Sequence, residues 1–229
     1  MIQVDEYILK LFRSKINLLI VDDDPVVLDS IKFLFSSPLF NIMTGSDLKQ
    51  ALEIINSAQK PWHCWILDIA LDEEDDGFKI LRQYPQFPFS VMLSGLRSMT
   101  TATQAMQNGA MKVFDKDPHS ISLLHDEVCK IASLGFVLNG KGTQYLKHYT
   151  LIKENIFATP KDWAVSACIT VRQLERICSM HSPLTPKYVL SLFYTLYGIL
   201  KGEYTDSAFK NHFDFFEKHL EKYQKLLVN

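Results

Sequence analysis

Apolar residues fall in short blocks through the first half of the chain and at helical spacing through the second. Five blocks rich in β-branched and aromatic residues stand out: INLLIV (16–21), FNIMT (40–44), WHCWIL (62–67), FSVML (89–93) and KVF (112–114). Runs this short read as buried strands. Amphipathic stretches separate them. Pro25 opens one that reaches Phe35, and SDLKQALEIINSA follows the second block with Ser46 placed as N-cap. Strands alternating with helices predict βαβ units, hence a parallel sheet covered on both faces. Right-handed crossovers then make a doubly wound α/β sandwich the economical arrangement. The leader, residues 1–15, reads as an extra amphipathic helix built on Tyr7, Ile8, Leu11 and Phe12, packed on the domain or on a partner.

The second half carries no strand pattern. SISLLHDEVCKIASL, KGTQYLKHYTLIKENI, TPKDWAVSAC, VRQLERICSM, TPKYVLSLFYTLYGIL and DSAFKNHFDFFEKHLEKYQKLL each show helical spacing, with Gly and Pro between them. The pattern predicts an α/β domain over 16–134, a boundary near Leu134–Lys141, and an all-α domain over 141–229.

Composition changes this picture only in part. With 47% hydrophobic and 22% charged residues the chain is expected to be globular rather than disordered. No apolar run approaches the roughly 20 residues of a membrane helix. The first 15 residues put acids before bases, so no secretory signal is expected. Four cysteines (Cys64, Cys129, Cys168, Cys178) without paired spacing read as thiols in a reducing, cytoplasmic compartment. Charge is unevenly shared. Residues 1–118 hold 11 Lys and Arg against 16 Asp and Glu, and residues 119–229 hold 13 against 10, which hints at different partners for the two halves.

The candidate chemistry lies where the apolar blocks end. The first runs into Asp22-Asp23-Asp24, the third into Asp68, the fourth into Ser94, and the fifth leads to Lys116. Open α/β sheets bind ligands beyond the carboxyl ends of their strands, and this topology brings these residues to one edge. Crowded carboxylates repel unless a cation sits among them, and hard oxygen ligands suit Mg²⁺. A lysine opposite can pair with a carboxylate or a phosphate oxygen, and a serine hydroxyl can donate to a phosphoryl group. These are the parts of a phosphoryl-transfer pocket.

In motif order and spacing, LLIVDDDP, WILDIALDEEDDGF, VMLSG, NGA and VFDK resemble the receiver domain of two-component response regulators, over residues 16–133. That resemblance, to the chemotaxis-regulator-like type, implies a five-stranded flavodoxin-like fold. It makes Asp68 the phospho-acceptor and Asp22 and Asp23 the acid pair that positions Mg²⁺. It also brings in the backbone carbonyl of Ala70 as a metal ligand, Ser94 and Phe114 as switch residues, and Lys116 as the pocket lysine. The sequence departs from the family pattern in two places. Asp72 replaces the usual proline, in a loop lengthened by one residue and very acidic (72–76), which reads as a solvated loop. The usual Lys-Pro pair is Lys116-Asp117-Pro118 here, which puts the position of the lysine in question.

In the second half, Thr170 and Gln173 have capping-box spacing at the head of a helix whose Leu174, Ile177 and Cys178 form an apolar stripe. Two short helices joined by a tight turn, the second with a polar outer face, is a helix-turn-helix pattern. Arg172, Gln173 and Arg176 are placed to meet bases or phosphates. ITVRQLERIC and LTPKYVLSLF resemble an AraC-type helix-turn-helix, within the region 160–229. The resemblance adds Lys187 to the DNA-binding candidates, with Thr185 as N-cap and Pro186 as the first helical residue. Cys168 and Pro183 stand where that family has glycine, and the helix that should precede a second recognition helix is missing.

Together these readings predict a transcriptional regulator phosphorylated on aspartate by a histidine kinase or phosphotransfer protein. It would form a homodimer on phosphorylation, engage DNA, and carry no membrane segment. The alternative is a phospho-switched adaptor whose helical domain binds a protein. No nucleophile–base pair, phosphate loop or metal cluster follows residue 134, so an enzymatic output is not expected.

Overall fold

A computed structural model describes residues 6–71, 75–95, 98–142, 144–202 and 207–227. The chain divides into two compact units, Ser14–Gly142 and a second made of Met1–Arg13 with Thr143–Asn229.

The Ser14–Gly142 unit contains five strands: β1 (Ile16–Val21), β2 (Phe40–Gly45), β3 (Cys64–Asp68), β4 (Ser90–Ser94) and β5 (Lys112–Asp115). They form one all-parallel sheet in the order β2-β1-β3-β4-β5. Every residue of β1, β3 and β4 is buried, as expected of strands covered on both faces, while the edge strands β2 and β5 are only partly covered. The intervening helices are α2 (Pro25–Leu34), α3 (Leu48–Ser57), α4 (Asp76–Gln83), α5 (Met99–Gln107) and α6 (Pro118–Val137). The sandwich is therefore the flavodoxin-like arrangement expected.

Two local expectations are corrected. The N-cap of α3 is Asp47, whose carboxylate accepts from Gln50 N at 2.7 Å, and Ser46 instead accepts from Gln50 Nε2. Asp76 is not in a solvated loop: it is buried in the first turn of α4 and paired with Lys79 at 2.8 Å. Asp75 is exposed, and residues 72–74 lie outside the described residues.

The second unit is helical. It holds α1 (Glu6–Phe12), α7 (Leu146–Glu154), α8 (Pro160–Ser166), α9 (Val171–His181), α10 (Pro186–Lys201), α11 (Ser207–Lys218) and α12 (Leu220–Leu227). α10 is buried on every side from Val189 to Leu200, which makes it the central helix. Several buried polar groups around it are paired, while Thr195 Oγ1 makes no hydrogen bond. Tyr194 OH donates to Asn155 O at 2.7 Å and accepts from Phe157 N, Ser191 Oγ donates to His212 O, and Trp163 Nε1 donates to His148 O. The leader helix belongs to this helical unit. Ile8 and Phe12 are buried, and Phe12 lies 5.7 Å from the ring of Phe216. The stretch expected as one helix over 206–227 breaks at His219. There the Phe215 carbonyl lies 2.8 Å from His219 Nδ1, while His219 N donates to Phe216 O instead. Among the described residues no helix is long and apolar enough to cross a membrane.

Candidate functional site

Sheet register places the site. Val21 pairs with Leu67, Asp68 with Leu93 and Ser94 with Asp115, so the strand ends β1, β3, β4 and β5 finish at one edge. Asp22 follows β1 and is fully buried, Asp68 ends β3 and is buried, and Asp23 is exposed beside them. One carboxylate oxygen from each of these three acids lies within 4.8 Å of the others. Lys116, one residue past β5, donates to Asp68 Oδ2 at 2.7 Å and stands 2.8 Å from Asp22 Oδ2. Its backbone N–H donates to Ser94 O, which ties the lysine to the end of β4.

The Lys116-Asp117-Pro118 departure leaves the lysine in the pocket. Asp117 caps α6 by accepting from His119 N and Ser120 N, and Pro118 takes the first helical position, so the inserted residue is absorbed by the helix start. Ser94 and Phe114 are both buried, at the ends of β4 and β5, and Ala70 is exposed just past β3.

Burial dominates the electrostatics. It pushes the Asp68 carboxyl up to about 6, with Lys116 opposing and the neighbouring acids adding to the rise. Asp22 is raised for the same reason. Burial alone would lower Lys116, but its two carboxylate partners outweigh that and hold it above its ordinary value.

The sequence did not single out two supporting residues. Asp24 holds Asp22 by donating its N–H to Asp22 Oδ1, and its side chain caps α2 through Val26 N. Gly77 lies under the acceptor strand, where an added Cβ would come 2.1 Å from the Asp68 carbonyl. Its place in the quoted DGF motif was the only signal.

The donor set fits a divalent cation. Asp22 Oδ2 is buried and lies 2.8 Å from the Lys116 ammonium. Three converging carboxylates are the hard oxygen ligands that such a cation takes.

The helical candidates gather elsewhere. Thr170 and Gln173 form a capping box on α9, in which Gln173 Oε1 accepts from Thr170 N at 2.8 Å. Arg172, Gln173 and Arg176 are exposed and line a cleft of about 780 Å³ with Thr185 and Pro186 at the start of α10. Lys187 follows on the exposed side of α10, its ammonium 4.4 Å from the Phe215 ring. Cys168 takes the left-handed conformation (φ 54°) in the turn between α8 and α9, where glycine is usual.

The structure thus has a parallel sheet with an acid cluster and a lysine at its carboxyl edge. Residues 18–128 match the family model of the response regulator receiver domain, and this segment is a receiver domain. The NtrX-like response regulator of Rickettsia bellii (strain RML369-C) is 32% identical over 128 residues, covering 53% of this chain and 26% of its own length. Its namesake in Rickettsia felis (strain ATCC VR-1525 / URRWXCal2) is 30% identical over the same span and shares. The chain therefore spans about a quarter of the length of the curated relatives it matches. Among solved structures, the receiver domain of Francisella response regulator 1452 is 25% identical. It covers 51% of this chain and 95% of its own, with a TM-score of 0.44.

Proposed function

We propose that this chain is a cytoplasmic two-component response regulator that accepts a phosphoryl group on Asp68 from a histidine kinase or phosphotransfer protein, and that its helical unit acts by binding DNA rather than by catalysis. The observation that carries the reading is the placement of Lys116 at 2.7 Å from Asp68 Oδ2 and 2.8 Å from the buried Asp22 Oδ2. Lys116 engages Asp68 Oδ2, which leaves Oδ1 as the attacking atom. The new Oδ1–P bond forms as the donor's N–P bond breaks. Mg²⁺, held by Asp22, Asp23, Asp68 and the Ala70 carbonyl, would neutralise phosphoryl oxygens. Val26 and Phe33, 71% and 79% exposed on α2 just past the acid pair, offer an apolar surface for the phosphodonor.

Phosphorylation adds roughly −1.5 to −2 charges and three acceptor oxygens. Ser94 Oγ moves toward them and Phe114 turns into the space released. The face formed by α5, β5 and α6 repacks, and it carries Met99, Met106 and Leu123 exposed to solvent, an apolar surface on which a homodimer can close.

The test is retention of pooled genomic duplex fragments by the purified protein, with and without beryllofluoride and Mg²⁺, at two salt concentrations. The reading expects selective retention that strengthens with beryllofluoride and weakens with salt. A second reading, a phospho-switched adaptor, draws on Ile156, Val165 and Met180, which are exposed apolar residues of the helical unit. It expects no retention in either state.

A further inference from the structure

A second basic surface joins Lys187, already a DNA-binding candidate, to Lys222, which the sequence did not single out. Tyr188, in the first turn of α10, is half-buried among three aromatic side chains: Phe215 at 5.1 Å, Tyr223 at 5.3 Å and His219 at 5.4 Å. His219 stacks on Phe215 at 4.1 Å. Two exposed ammonium groups lie on this platform. Lys222 Nζ is 3.8 Å from the Tyr188 ring and Lys187 Nζ is 4.4 Å from the Phe215 ring.

Lys222 is exposed on α12, just past the break at His219, and Lys187 is exposed at the start of α10. Cation–π contact limits how far the two ammonium groups wander, so they meet an anion with less loss of freedom.

We infer that this lysine-on-aromatic shelf, Lys187 and Lys222 over Tyr188 and Phe215, contacts the phosphate backbone of duplex DNA and extends the α9 surface. The inference rests on the DNA-binding reading of the helical unit. A polyanion is the complementary partner, because the shelf offers two exposed ammonium groups on the same helical unit that exposes Arg172 and Arg176. The rings themselves are half-covered by the lysines, so the shelf lacks the exposed apolar residues that insertion into a lipid surface requires.

The experiment measures affinity of the full chain for a mixed-sequence duplex across a salt series. It compares the wild type with Lys187→Ala/Lys222→Ala, with Lys187→Arg/Lys222→Arg and with Arg172→Ala/Arg176→Ala, each checked by thermal melting. The logarithmic salt slope is expected to fall by about 1 for each lysine removed and to be kept by the arginine pair. An unchanged slope in the alanine pair, with the Arg172/Arg176 variant weakened, overturns the shelf and leaves the DNA reading standing. Failure of the wild type to bind duplex at low salt overturns both. Binding to vesicles rich in phosphatidylserine without binding to duplex overturns the shelf in favour of a membrane.

Discussion

In the Ser14–Gly142 unit the buried charges Asp22 and Asp68 crowd together at one sheet edge against the single ammonium of Lys116. In the helical unit the buried Ser191, His212 and Tyr194 are spread around α10, and each meets a backbone carbonyl. The first arrangement costs stability and makes sense for an incoming cation and phosphoryl group, whereas the second serves the fold. Buried charge in the receiver is therefore concentrated at one sheet edge, whereas these buried polar groups of the helical unit are dispersed.

That contrast can be broken most sharply at Gly77. Gly77→Val drives a side chain into the Asp68 carbonyl, a backbone atom that cannot yield. Chemical denaturation should show a loss of about 3 kcal/mol or more, together with loss of phosphoryl labelling. A fully stable, labelled variant contradicts the packing described.

Asp68→Asn should act in the opposite direction. A carboxyl raised from 3.8 to about 6 in the folded state favours the protonated form. Its contribution to stability is present below about pH 4 and lost as pH rises through about 6. Removing the charge should stabilise the Mg²⁺-free protein at pH 7.5 by about 1–3 kcal/mol and flatten stability between pH 4 and 7. Urea titrations at several pH values read this directly, and added Mg²⁺ should flatten the wild-type curve as well.

Two smaller effects sharpen the helical half of the comparison. Thr170→Ala removes the cap of α9 and should cost about 1 kcal/mol. Cys168→Gly relieves a left-handed turn and should gain about 0.5–1 kcal/mol. Neither change should alter labelling of the receiver, and a large effect on it would contradict the division into two units.

The receiver was legible because its signals are local. Buried strands are continuous apolar runs, and each pocket residue stands at the end of one, so INLLIV and Asp22 could be read together. Asp72 lies outside the described residues. What the sequence hid depends on contacts between distant segments or on competition within a turn. Phe12 meets Phe216 from the other end of the chain, Gly77 is needed only because of what lies under it, and α11 ends where a histidine ring takes a carbonyl from its own backbone. Asp47 displaced Ser46 as a cap because both residues can cap and geometry decides between them. The helical unit was legible as helices and as a capping box, but what its exposed arginines meet is written in the partner.

The central claim is that Asp68 takes the phosphoryl group, and intact-protein mass after incubation with phosphoramidate and Mg²⁺ tests it most directly. Wild-type protein should gain the mass of one phosphoryl group, and Asp68→Asn should gain none. Equal labelling of the variant would contradict the assignment.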